Sequence, residues 1–89
     1  MQLYLVLTLR TAHFDPAVIP AHYAFLDDLK ARGALAGFGP FTDTSGGAYL
    51  LRAQSLAQAE ALASADPVHA CGSSEVSVRE WKATWIEPA

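Results

Sequence analysis

The sequence predicts an α+β domain in which a four-stranded antiparallel sheet carries both of its helices on one face. Three observations carry that expectation. Stretches of alternating polarity at Gln2 to Arg10, Ala34 to Phe41, Ala48 to Ala53 and Glu75 to Ile86 read as strands. A spacing of three and four between apolar residues reads as helix from Pro20 to about Arg32, and again from Ser55 to about Ala65. Two strands joined by a turn stand between the helices. The 89 residues hold one domain, 1–89, with room for one core.

In the first strand Leu3, Leu5, Leu7 and Leu9 alternate with Tyr4, Val6, Thr8 and Arg10. The leucine face is expected to meet the helices. The second, amphipathic face is then left for a partner's sheet or for a ligand cleft ending at Arg10. Thr11 to Asp15 forms a polar connection in which His13 is solvated. Asp15 is the expected N-cap with Pro16 at the first helical position, where its missing N–H costs nothing. Pro20 interrupts the first turns, so either a kink or a brief turn precedes the main helix. Lys30 and Arg32 suit the negative end of that helix, and Gly33 its stop.

Val18, His22, Phe25 and Leu29 fall on one face of this helix, which sets a titratable ring within an apolar stripe. Such a ring needs a hydrogen-bond partner, and imidazole ordinarily titrates near pH 6.5, so it can carry protons at neutrality. A satisfied core histidine and a functional one both fit the helix taken alone.

The second strand carries Gly39-Pro40, and glycine within a strand marks a bulge or a close approach of the backbone to another group. Asp43-Thr44-Ser45-Gly46-Gly47 is a turn that makes a hairpin of the second and third strands, and it lacks the lysine of a phosphate loop. Ser55 with Gln58 three residues on is a capping box, opening a helix whose buried stripe is Leu56, Ala59, Leu62 and Ala63. Asp66-Pro67 closes that helix and begins a short one over Val68 to Cys71, with Asp66 as N-cap and Gly72 as stop. Cys71 is expected to be a small buried hydrophobe. In the last strand Val76, Val78 and Glu80 share one face and Ser77, Arg79, Trp81 and Trp85 the other. Those tryptophans need cover, and a subunit interface is expected to supply it for at least one.

Composition narrows the function classes. A hydrophobic share of 52% against 17% charged residues is high for a small soluble monomer, which points to a self-associating surface. The six basic residues are scattered singly and the net charge is −3, which argues against a nucleic-acid surface. No apolar run reaches the roughly 18 to 20 residues that span a bilayer. Met1 opens directly into a strand pattern, so a cytoplasmic protein is expected, without membrane partners. One cysteine leaves no disulfide framework and no cysteine-based metal site, and neither metal nor cofactor is expected.

The order of elements is that of the ferredoxin-like split β-α-β arrangement, in which one sheet face stays bare unless a second copy covers it. Along this frame stand Leu3-Tyr4-Leu5-Val6-Leu7, Ala21-His22-Tyr23-Ala24-Phe25-Leu26, Gly39-Pro40, Ser45-Gly46-Gly47, Ser55 to Leu62 and Ala65-Asp66-Pro67. In that ordered set the chain resembles the YciI-like (YCII-related) family nearly end to end. The resemblance implies a dimeric α+β barrel and a His and Asp pair in a cleft, carried here by His22 and Asp66. A related enzyme removes chloride from a chlorinated hydroxyquinone.

An Asp bonded to one imidazole nitrogen leaves the other free to take or give a proton, so the implied pair is a general acid/base dyad. Isomerisation, elimination or proton abstraction beside a carbonyl, on a small anionic substrate, aromatic or not, suits such a site better than hydrolysis. Arg10 could hold a carboxylate or phenolate, with Gly39, Pro40 and Ser45 as further binding candidates and Ser45 as the one nucleophile candidate. A haem on His22 is disfavoured because the chain is too small for its pocket. The alternative class is a non-catalytic module that binds a small ligand or serves dimerisation.

Overall fold

The computed structural model describes all 89 residues. Its strands are β1 (Gln2–Arg10), β2 (Leu35–Pro40), β3 (Gly46–Ala53) and β4 (Ser74–Glu80), and its helices are α1 (Ile19–Ala31), α2 (Leu56–Ser64) and α3 (Pro67–Ala70). The strands form one antiparallel sheet in the order β2-β3-β1-β4, so the two central strands are the first and the third. This is the predicted ferredoxin-like α+β architecture.

Local chemistry sets the boundaries. Asp15 accepts a hydrogen bond from the Ala17 N–H and opens a brief 3-10 turn at Pro16–Val18, after which Pro20 sits in the first turn of α1 without kinking it. Gly33 ends α1 in the left-handed region at φ 73°. Ser55 accepts from the Gln58 N–H at 3.1 Å, while the Gln58 side chain reaches back to the Gln54 N–H at 2.6 Å, one residue earlier than a standard capping box. β2 carries its bulge between Leu35 and Gly37, ahead of Gly39.

The core lies between the sheet and the helices. Tyr4 and Val6 of β1, Tyr49, Leu51 and Ala53 of β3, Leu26 and Leu29 of α1, and Ala59 and Ala63 of α2 are all buried. This reverses the expected facing of β1. Tyr4, Val6 and Thr8 point to the helices, whereas Leu3, Leu5 and Leu7 are only half-buried and Leu9 is exposed on the open face. The inner position suits Tyr4 because its hydroxyl escapes the core to donate to Glu80 at 3.3 Å. Leu56 is likewise exposed, leaving Ala59, Leu62 and Ala63 as the stripe of α2.

The last strand is shorter than its pattern suggests. Its inner face does carry Val76 and Val78 against the core, but it ends at Glu80. Tyr4 lies opposite Glu80 and the Trp81 N–H donates to the Leu3 carbonyl, so the strand runs out of partner as β1 reaches its end at Gln2. Trp81 and Trp85 then stack edge to face at 5.9 Å, both exposed. Cys71 is exposed rather than buried, its Sγ 3.1 Å from the Ser73 hydroxyl, because the short α3 ends there on the surface.

Candidate active site

Asp66 and His22 meet where α3 begins beneath α1. Asp66 precedes Pro67 in an extended conformation, as an N-cap must, and its Oδ1 accepts from the Val68 N–H at 3.1 Å. The same oxygen lies 2.8 Å from Nδ1 of His22, which projects from the inner stripe of α1. Asp66 is fully buried, while the His22 side chain keeps 17% of its surface exposed. One carboxylate therefore both caps α3 and contacts His22.

A third donor reaches the same carboxylate. The Tyr49 hydroxyl donates to Oδ2 at 3.3 Å from the central strand β3, where the residue is buried. Burial and the adjacent Asp66 charge push this phenol well above the ordinary tyrosine range, so it remains a proton donor. Sequence reasoning missed Tyr49. The available signal was alternation along β3, which places Gly47, Tyr49 and Leu51 on one face, with the register setting Tyr49 opposite Val6.

An ionised carboxylate only accepts hydrogen bonds, so beside an ionised Asp66 the donor is Nδ1 of His22, and a neutral ring then has its lone pair on Nε2. His22 has no other hydrogen-bond partner in the protein, and its ring lines a cleft of about 570 Å³ counted to its open mouth. Thr8, Tyr49, Leu26 and Val68 form the inner wall, and Tyr23 and Phe38 stand at the rim in an edge-to-face pair 6.4 Å apart. Gly46, Gly47 and Ala48 complete the lining with little more than backbone. No three side chains among His, Cys, Asp and Glu converge as metal ligands would.

The remaining candidates are distributed as follows. Arg10 lines the cleft with its guanidinium 4.1 Å above the Phe14 ring, and it makes no ion pair with any carboxylate. Gly39 and Pro40 line the same cleft. Ser45 stands apart from it, exposed, with its hydroxyl and its N–H both donating to Asp43. Those bonds hold the Asp43 carboxyl below its ordinary range and close the turn between β2 and β3.

Fold and sequence together define the class. The chain belongs to the YCII-related domain family, whose pattern matches residues 3–82. It is 49% identical over 82 residues to YjpA of Bacillus subtilis (strain 168), an uncharacterised protein, across 92% of this chain and 96% of that one. Among solved structures it is similar to 5-chloro-2-hydroxyhydroquinone dehydrochlorinase (TftG) from Burkholderia phenoliruptrix AC1100, in complex with 2,5-dihydroxybenzoquinone. That likeness has a TM-score of 0.71 at 22% identity and covers 90% of this chain and 93% of the other, a similarity of fold.

Proposed function

We propose that the chain is a cofactor-independent enzyme in which His22 and Asp66 form a general acid/base dyad acting on a small, anionic ring compound. The observation that carries this reading is the 2.8 Å contact between Nδ1 of His22 and the buried Asp66, with Nε2 left free at the cleft. Nε2 takes a proton from a ring hydroxyl or from carbon beside a carbonyl, and Asp66 stabilises the imidazolium that forms. The Thr8 hydroxyl is engaged with the Gly47 carbonyl and no lining hydroxyl is hydrogen-bonded to His22, so proton transfer coupled to isomerisation or to loss of a leaving group fits better than acyl transfer. Arg10 meets the substrate's negative oxygen at the rim, and the Tyr23–Phe38 pair lies along its flat face. A fold neighbour named for dehydrochlorination and solved with a dihydroxybenzoquinone supports that substrate class.

The enzyme works as a cytoplasmic homodimer in this reading, the second copy covering the leucine face of β1. The test is turnover of 5-chloro-2-hydroxyhydroquinone and of related hydroxyquinones, followed by chloride release and by absorbance. His22→Gln should abolish turnover while retaining the dimer and the binding of 2,5-dihydroxybenzoquinone. Binding by the wild type with no turnover of any compound in the panel would favour a ligand-binding module, and undiminished turnover by His22→Gln would refute the dyad.

A further inference from the structure

We propose that Tyr49 is the positioning residue of this site: its hydroxyl holds one oxygen of Asp66 so that the other stays aimed at His22, a claim that rests on the dyad reading. The buried carboxylate has three donors around it. Two of them, the Val68 N–H and His22 Nδ1–H, share Oδ1, and Tyr49 alone serves Oδ2. The Val68 bond is local to the cap and restrains only the oxygen it touches. Rotation of the carboxylate about its own axis is opposed by the hydrogen bond at the other oxygen.

The three donors also come from unequal supports. Val68 belongs to α3, only four residues long, whereas Tyr49 belongs to β3, which is hydrogen-bonded to β2 on one side and β1 on the other. Its ring is wedged against Phe25, edge to face at 6.3 Å, and lies 6.3 Å from the His22 ring. The sheet therefore fixes the phenol, the phenol fixes Asp66, and Asp66 fixes the imidazole. A chain of this kind sets which nitrogen of His22 carries the proton, and thus whether Nε2 can act as a base. A tyrosine serving only as core filler would fill the same space without affecting that choice.

The distinguishing experiment records the ring nitrogens of His22 by 15N NMR at about pH 9, where imidazoles are neutral, in wild type, Tyr49→Phe and Asp66→Asn. The wild type should show Nδ1 protonated and Nε2 bare, and Asp66→Asn should revert toward the Nε2–H form favoured by free imidazole. Tyr49→Phe, which keeps the ring, should place both nitrogens between those limits. Shifts identical to wild type in Tyr49→Phe, with Asp66→Asn displaced, would overturn the positioning role and leave the dyad standing. A wild type already in the Nε2–H form would remove the dyad and this proposal together. Should Tyr49→Phe not fold, the 13Cζ resonance of Tyr49 decides. It moves between wild type and Asp66→Asn if the phenol donates to that carboxylate, and stays in place if it does not.

Discussion

Nδ1 of His22 lies 2.8 Å from Oδ1 of Asp66, although 44 residues separate them in the chain. The contact joins the first turn of one helix to the cap of another. It sets an imidazole nitrogen against a fully buried carboxylate, a geometry in which an ionised Asp66 would hold the proton on Nδ1. One residue thus has two duties, and they can be separated by substitution.

Asp66→Ala removes the acceptor for the Val68 N–H, the His22 ring and the Tyr49 hydroxyl together. Loss of a cap and stranding of buried donors should destabilise the protein by about 3 kcal/mol. Asp66→Asn keeps an oxygen for the cap and should cost about 1 kcal/mol while still disabling the dyad. Urea denaturation of the two variants checks the difference, and equal losses would mean that the cap accounts for little.

Stability should fall in alkali, and Tyr49 should be one cause. Burial and Asp66 raise its folded-state pKa, so the folded protein keeps a proton that the unfolded chain releases above about pH 10. The stabilisation is fully present below that value and is lost as pH rises further. Urea midpoints measured from about pH 8 to 11 should decline less steeply in Tyr49→Phe than in wild type. A residual slope is expected from Tyr4, whose phenol is also raised, by desolvation and by Glu80.

Gly46 and Gly33 should respond differently to alanine. A Cβ at Gly46 would stand 1.8 Å from the Thr8 carbonyl oxygen, and φ there is 149°, so the edge of the β1–β3 pair must give way. Loss of more than about 2 kcal/mol is expected. Gly33 has φ 73° and open space around it, so alanine there should cost about 1 kcal/mol, the penalty of the left-handed conformation alone. Thermal denaturation of both variants compares them directly.

The open sheet face should be an interface. Leu5 stands opposite Leu50 across β1 and β3, flanked on β1 by Leu3 and Leu7, and these leucines form an apolar surface turned away from the helices. Sedimentation should give twice the 9.5 kDa chain mass for wild type and a folded monomer for Leu7→Glu. Tryptophan emission should shift to the red in that variant if the exposed Trp81–Trp85 pair is covered by the partner. A wild-type monomer would contradict this account of the face.

Much of the architecture was legible because it is written in local punctuation. Asp15, Ser55 and Asp66 cap what they were expected to cap, and Gly33 and Gly72 end helices at positive φ. The facing of β1 was not legible, because both of its faces are apolar. Alternation separates Leu3, Leu5 and Leu7 from Tyr4, Val6 and Thr8 but carries no sign for inside and outside when neither set is plainly polar. The tail misled for a related reason: Trp81 to Ile86 has strand-like residues, yet a strand also needs a neighbour, and β1 stops at Gln2. His22 and Asp66 could be named from the helix stripe and the family resemblance, but their meeting depends on how α3 packs under α1. Alternation gives the facing of Tyr49 but not its partner, which lies 17 residues away in another layer.

The most direct test of the central claim is the tautomer of His22 in the wild-type protein, read from its two ring 15N shifts above the titration range and followed on addition of 2,5-dihydroxybenzoquinone. The dyad predicts a protonated Nδ1 and a bare Nε2 in the free protein, with the Nε2 resonance moving as the ligand enters the cleft. A protonated Nε2 with a bare Nδ1 would mean that Asp66 does not accept from His22, and the acid/base reading would fall.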